Sequence, residues 1–564
     1  MKKQISLFLI FILAFFPRFY GINWDSGFHL HPDERMLIMV AERINFFDQL
    51  NPQFFNYGSL PIYLLKGLSQ LSDFIFKTNL ANYNGMLYLG RILSVIFDLL
   101  TVIFVYKTVL ILFPNIKYSI STIAFFSSFF YAIAFFPIQN THFFISDVFL
   151  TCFLTFLIYL LLSYFKNDRI KIKSNKLKET VVIACVFAMA FSSKLTAIIF
   201  YPIVLTVIFF VAKNRLSRLI NLLIFNFGLL IFNFIFMPFA FLDYKKFLND
   251  VILQVKMNNN PYIFPYTLQY VNTFPYLYYL KNMFFWGLGP IISFLCLIGF
   301  VSFLFQLSKI INQNDKEKSK LLPCLLYLAF YLFYFLVIGR SSVKFMRYML
   351  PLYPFLATMA GLGAYQISNI KYQKYILKIK NNSFSISQFL NFLIFFSTLL
   401  WTLTFINIYS QPHTRISATE WILKNIPAGS NLAVEHWDDR LPLLGGEKYN
   451  FLEMTLYDQP DDERKWFILY EKLKLADYII IASHRLYLPL QKLADCRKYK
   501  ICYPKTAEYY RKLFNGKLGF SKIAEFAVYP KFSIFNFQFL INDKEADESF
   551  TVYDHPKVMV FKKN

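Results

Sequence analysis

Charge is what this chain has least of. Only 16% of its 564 residues are Asp, Glu, Lys or Arg, against about 25% in an ordinary soluble protein. With 56% hydrophobic and 20% aromatic residues, that scarcity excludes a soluble globular enzyme. Nucleotide and hydrolase signatures are missing as well. No P-loop, strand-linked GxGxxG or GxSxG occurs, so nucleotide, dinucleotide and serine-hydrolase readings lack support. Cysteines number six, with no CxxC pair and no His/Cys set at zinc-site spacing, so any metal stays unknown. Cys152, Cys185, Cys296 and Cys324 lie in apolar runs as small packing residues. Cys496 and Cys502 stand in the hydrophilic tail, and their spacing leaves a disulfide open.

What the chain does have is long apolar runs without amphipathic striping, the mark of several membrane spans. The first run, Ile5–Tyr20, follows a basic N-terminus. No small-residue cleavage site ends it, so it reads as an uncleaved span. Further runs lie near 86–112, 119–137, 143–165, 180–193, 195–212, 219–241, 283–306, 321–339, 349–369 and 388–408, giving about 11 transmembrane helices. The formal net charge of +24 gathers in loops between them: Lys166–Lys178, Lys213–Arg218, Lys309–Lys320 and Lys371–Lys380. Such clusters keep loops cytoplasmic and attract anionic membrane lipids; they do not describe a nucleic-acid binder.

A cytoplasmic N-terminus puts every one of those clusters inside. It puts loop 23–85, the turn near Ile138–His142, loop 243–281, the turn Arg340–Arg347 and everything after 409 outside. The expected domains are therefore a membrane domain, 1–409, and an extracytoplasmic α/β domain, 410–564. In the latter, Ser417–Asn425 and 462–475 read as helices, with strands at Asn431–Trp437, Tyr478–Ala482 and Val558–Lys562.

Ionisable residues at the outer boundary are the functional candidates. Asp33 and Glu34, in Phe28-His-Leu-His-Pro-Asp-Glu-Arg35, follow the first span, and a carboxylate there can take a proton from an attacking hydroxyl. A solvated loop pair is the plainer reading. Asp147 opens a span just after His142; the alternatives are a helix cap for the acid and an interfacial hydrogen-bonding role for the histidine. Lys194 can snorkel or hold a phosphate. Arg340, Lys344 and Arg347 break the positive-inside pattern, either for an anionic partner or for lipid headgroups. The Glu435-His-Trp-Asp-Asp439 stretch has no second cluster at matching spacing and reads as a solvated strand–loop junction.

These residues, in this order, resemble the polytopic superfamily C glycosyltransferases, near the bacterial relatives of protein O-mannosyltransferases and lipid A aminoarabinose transferases. The likeness rests on Gly21–Trp24 with His31-Pro-Asp-Glu-Arg35, Asp147 after His142-Phe-Phe, Ser192-Ser-Lys-Leu195 and Lys344-Phe-Met-Arg-Tyr-Met-Leu-Pro-Leu-Tyr-Pro354. In the tail it rests on Ala418-Thr-Glu-Trp-Ile422, Ile426-Pro-Ala-Gly429 and Ser549-Phe-Thr-Val-Tyr-Asp-His-Pro-Lys557. The resemblance implies a polyprenyl-phosphate sugar donor, an acceptor that is a lipid, glycan or protein, and inverting transfer outside the plasma membrane. It implies Asp33 as general base, with Glu34, Asp147 and His142 positioning the base, the acceptor or an optional divalent cation. Arg347, Lys344 and Lys194 would bind the lipid phosphate. Two rival readings are a transporter or flippase of envelope lipids and a noncatalytic scaffold. A transporter would show internal repeats and mid-span charges; no clear repeat is seen, and Asp98 is the main mid-span exception.

Overall fold

The computed structural model describes residues 2–113, 120–169, 176–212, 214–311, 321–368, 386–534 and 537–564. The basic cluster Lys371–Lys380 lies outside these residues, as do Lys213 and most of Lys309–Lys320. Every one of the eleven apolar segments is helical over most of its length. Among the described residues, six helices are long and apolar enough to cross a membrane. The bent pair Ile120–Ile133 and Phe135–Thr141 makes a seventh if counted as one span. Leu7–Phe19 and Leu195–Val211 are shorter apolar helical stretches.

The helices pack where small residues allow it. A side chain at Gly299 would strike the carbonyl of Met359 at 1.7 Å, and one at Gly363 would strike that of Leu295 at 2.0 Å. The helices Pro290–Ile311 and Tyr353–Ser368 thus touch backbone to backbone, a contact that only glycine permits. Charges inside the bundle are consumed by one another. Arg18 is fully buried against Asp98 at 2.6 Å and donates to the carbonyl of Ala132, while the Tyr131 hydroxyl closes the set on Asp98. Asp98, the mid-span exception, is therefore half of a structural ion pair.

The C-terminal part carries a five-stranded sheet. Its members are β1 (Asn431–Glu435), β2 (Asn450–Met454), β3 (Tyr478–Ile481), β4 (Phe520–Phe526) and, after the hairpin β5 (Lys531–Ile534) and β6 (Phe537–Leu540), β7 (Val558–Lys563). The order is β2-β1-β3-β7-β4, with β1 parallel to both neighbours and β7 antiparallel to both of its own. Alternation puts Leu432, Val434, Ile480, Val558 and Val560 on one face against Ala418 and Ile422. Ala433, Ile479, Ile481, Met559 and Phe561 face the other way, against Trp466, Leu469 and Leu513. Both faces are covered, so the strands read as continuous apolar runs. The expected strands at 431, 478 and 558 are present; β2 and β4, more polar and at or near the sheet edges, were not legible. Cys496 and Cys502 are bonded to each other.

The last segment before β7 fastens this domain to the bundle. Asp554 accepts from Gln139 at 2.9 Å and from the Tyr409 hydroxyl at 2.8 Å. His555 sits between Asp554 and Asp543, whose carboxylates lie 2.5 and 2.9 Å from its ring nitrogens. Loop 243–281 contributes Leu268 and Val271 to the core of the sheet domain.

Burial lowers the basicity of His555, but the two carboxylates override it and push the imidazole up to about 10. A histidine raised above its ordinary value of about 6.5 stabilises the fold fully below that value, and the contribution is lost as pH rises through 10. Docking is expected to weaken progressively as pH rises above about 6.5 and to have lost this contribution by about pH 10. His555→Gln should loosen it at pH 7, costing about 3–5 kcal/mol because a buried carboxylate is left uncompensated. Hydrogen exchange in 543–555 reads both; protection unchanged by the substitution would contradict the assignment.

Candidate active site

The helix Pro32–Arg43 begins where it does for local reasons. Proline occupies its first turn, and the His31 ring Nδ1 accepts the Glu34 N–H at 3.3 Å as a cap. Asp33 and Glu34 then sit in the first turn, where the helix dipole favours carboxylates. Consecutive helical residues point about 100° apart, so the two acids face different surroundings.

Glu34 turns into the bundle. Arg91 reaches it through two bonds of 2.9 and 2.7 Å and grips Asp25 through two more of 2.9 and 2.8 Å. The Phe144 N–H adds a bond of 2.8 Å to Glu34. All three charged side chains are fully buried.

Asp33 turns the other way, into a cavity of about 760 Å³. Its carboxylate meets Arg347 at 2.7 Å and remains part-exposed. Burial pushes the Asp33 carboxyl up. The Arg347 guanidinium, with smaller help from Lys194 and the Tyr57 hydroxyl, outweighs that and brings it below the usual carboxylate range. The Arg347 Nε and Nη1 are buried and find no partner among the described residues. Lys194 lines the same cavity; its ammonium bonds Asp147 at 2.6 Å and lies 4.7 Å above the Tyr348 ring. The loop bearing Tyr57 comes close to this lysine because Gly58 has no side chain: a Cβ there would meet the Ser192 carbonyl at 1.9 Å.

Three expected site residues are placed elsewhere. Glu34 is locked to Arg91, so it cannot position an acceptor in the cavity. The His142 ring is wedged between the carbonyls of Ile138 and Tyr20 and stacked on Tyr409. It ties the end of the helix Phe135–Thr141 to the loop after the first helix. The Lys344 ammonium donates to the Ser342 carbonyl at 3.1 Å instead of facing a phosphate. Burial, with repulsion from Lys492, lowers it to about 8. None of the three lines the cavity. Asp147 stands one layer behind it, bracing Lys194. Among the described residues, no group of three or more His, Cys, Asp or Glu is placed to hold a metal ion.

The opposite wall belongs to the sheet domain. Arg415, Trp437, Asp438, Asp439, Arg485 and Tyr553 line it. The Glu435–Asp439 stretch is therefore not the solvated junction expected. Arg415, almost wholly buried, pairs with Asp438 at 2.9 Å and Asp439 at 2.8 Å. Arg35 reaches Asp439 at 3.3 Å, tying the helix that carries Asp33 to the sheet domain. Glu435 is buried beneath the Tyr510 hydroxyl, and burial pushes its carboxyl up to about 8. Arg415 and Arg485 escaped sequence reading because their partners lie tens of residues away; the acidic pair at 438–439 was the one visible signal.

Comparison with known proteins places the chain in a fold. A family model described as dolichyl-phosphate-mannose-protein mannosyltransferase matches residues 84–241. No curated protein matches the sequence. The oligosaccharyltransferase AglB of Archaeoglobus fulgidus, in complex with an inhibitory peptide and a dolichol-phosphate, superposes with a TM-score of 0.51 at 11% identity. The match covers 85% of this chain and 69% of that one. The same organism's enzyme tethered to an acceptor peptide gives 0.52 at 12% identity, over 90% and 72%. ArnT of Cupriavidus metallidurans bound to undecaprenyl phosphate gives 0.50 at 12% identity, over 86% and 94%. At such identities the likeness is one of fold. Together with the family match, it bears out the resemblance to superfamily C glycosyltransferases.

The two adjacent acids should separate cleanly in stability. Glu34→Gln is expected to destabilise the protein by about 3 kcal/mol, as loss of a buried ion-pair partner does. Asp33→Asn, at the part-exposed wall of a cavity and still offering Arg347 an amide oxygen, should cost less. Thermal unfolding in one detergent compares them; an equal loss for both would contradict the opposed orientation.

Proposed function

We propose that this chain, which has the fold of the superfamily C glycosyltransferases, moves a sugar from a polyprenyl-phosphate donor to an acceptor hydroxyl with inversion at the anomeric carbon. The observation that carries this reading is the Asp33–Arg347 ion pair in one cavity with Lys194. A base and a phosphate-binding guanidinium stand side by side, and that guanidinium keeps two buried donors in reserve.

Asp33 takes the proton of the acceptor hydroxyl as its oxygen attacks the anomeric carbon. The bond from that carbon to the phosphate oxygen breaks on the opposite side, and the polyprenyl phosphate leaves. Arg347 and Lys194 stabilise the charge that collects on it. Asp147 acts through Lys194, whose ammonium it orients. The apolar side of the cavity, Leu195, Ile198, Ile199, Val251, Val255 and Ile338, suits the prenyl chain, and Ile198 and Val255 are half exposed there. When a phosphate takes up the spare donors of Arg347, its hold on Asp33 weakens, and the carboxylate becomes a stronger base as the donor binds.

The membrane arrangement belongs to the same proposal: about 11 spans, a cytoplasmic N-terminus, and the cavity and residues 410–564 outside the plasma membrane. The basic loops support this sidedness, and a lipid-linked donor suits a compartment without nucleotide sugars.

The test is transfer from a radiolabelled polyprenyl-phosphate hexose by protein reconstituted in lipid. Asp33→Asn is expected to lower turnover at least about a hundredfold, the usual worth of a general base. Undiminished transfer would remove Asp33 from that role. Arg347→Met should weaken donor binding and turnover together. In the pH profile, kcat/KM reports the free enzyme and kcat the loaded one. The acid limb of kcat/KM should lie below the ordinary carboxylate value of about 3.9, because Arg347 depresses Asp33. The limb of kcat should lie higher. Coincident limbs would sink the competition between phosphate and Asp33.

A further inference from the structure

The two ends of the cavity differ in chemistry. At the Arg347 end, Arg347 and Lys194 are paired with Asp33 and Asp147, and two donors of Arg347 have no partner among the described residues. At the sheet-domain end, three arginines, Arg35, Arg415 and Arg485, are matched by three carboxylates, Asp438, Asp439 and Glu548. No net charge is left to attract an ionic acceptor. What is left is hydrogen-bonding capacity and an aromatic face. Asp439 keeps 18% of its side chain exposed, and the buried Nε of Arg415 has no partner among the described residues.

The aromatic face is Trp437. Its φ is +77°, a left-handed backbone that bulky residues rarely adopt. Such conformations persist where the surroundings enforce them, and they cluster at binding sites. The indole follows β1, makes edge contacts with His436 and Phe264, and stays 43% exposed where it lines the cavity. An exposed tryptophan in a strained turn, on the same cavity wall as a part-exposed carboxylate and a guanidinium with a spare donor, suits one class of molecule. A neutral sugar ring has an apolar face to lie on an indole and hydroxyls to bond charged partners.

We infer that Trp437, with Asp439 and Arg415, forms an acceptor subsite for a neutral sugar ring, so that the hydroxyl glycosylated belongs to a glycan or a glycolipid headgroup. This rests on the transferase reading and adds the acceptor class to it. A phosphorylated glycolipid would bring anionic charge to an end of the cavity that has one spare guanidinium donor where Arg347 has two. A peptide would leave the indole and the paired charges without a specific role.

Full-length protein in lipid, with a radiolabelled polyprenyl-phosphate hexose, is offered a neutral glucose trisaccharide, the same trisaccharide on a lipid anchor, a serine/threonine peptide and a phosphorylated glycolipid. Transfer to one or both neutral saccharides is expected, and the anchored form distinguishes a glycolipid from a free glycan. Trp437→Ala and Trp437→Leu should each raise the acceptor KM at least about tenfold, as loss of a tryptophan anchor does. Trp437→Phe should recover most of it. The Kd of polyprenyl phosphate, read on the same preparations, should stay within about twofold and reports that the donor end is intact. Transfer only to the peptide or the phosphorylated glycolipid, or an acceptor KM unmoved in both variants, would overturn the subsite. Hydrolysis of the donor without transfer to either saccharide would overturn the subsite alone, whereas no turnover of any donor would overturn the transferase reading beneath it.

Discussion

A single buried guanidinium holds the site in place. Arg91 has no exposed surface and bonds two carboxylates, Asp25 and Glu34, along with the carbonyl of Ile22. Burying such charges is tolerable only when every donor and lone pair is met in good geometry. The Trp24 indole and the Phe144 N–H complete the arrangement. These groups come from the loop after the first helix, the helix Pro32–Arg43, the helix Tyr83–Leu112 and the turn before Asp147. Joining them leaves the Pro32–Arg43 helix one orientation, and in that orientation Asp33 faces the cavity.

The rest of the cavity follows from similar economies of charge. Lys194 is acceptable at its depth because Asp147 neutralises it, and Asp147 is acceptable because Lys194 does the same. Arg347 is the exception, with one carboxylate and two idle donors. A buried donor without a partner costs stability, so an incompletely satisfied guanidinium beside a cavity is a mark of function. The sheet domain supplies the other wall by having its own arginines matched, which keeps that end neutral.

Much of this was legible beforehand. Asp33, Lys194 and Arg347 stood out because charge at a membrane boundary demands a reason, and they converge on one cavity. Lys344 looked like a helper of Arg347 three residues away, yet only Arg347 lines the cavity, because Lys344 precedes the 3₁₀ turn Met346–Leu352 and does not share its i, i+3 alignment. Glu34 looked like a partner of Asp33, but helical geometry sends adjacent residues to different neighbours. Glu435–Asp439 looked solvated because its covering arginines, Arg415 and Arg35, are remote in the chain.

The sequence by itself determined the membrane class, the helical segments and the α/β character of the tail. Those follow from hydropathy and period, which are local properties. Only the tertiary structure decided which charges are spent on one another and which are left over for a ligand. That decision depends on pairing between residues such as Glu34 and Arg91, or Asp33 and Arg347, separated along the chain and brought within 3 Å only by packing. No local pattern encodes a partner that distant.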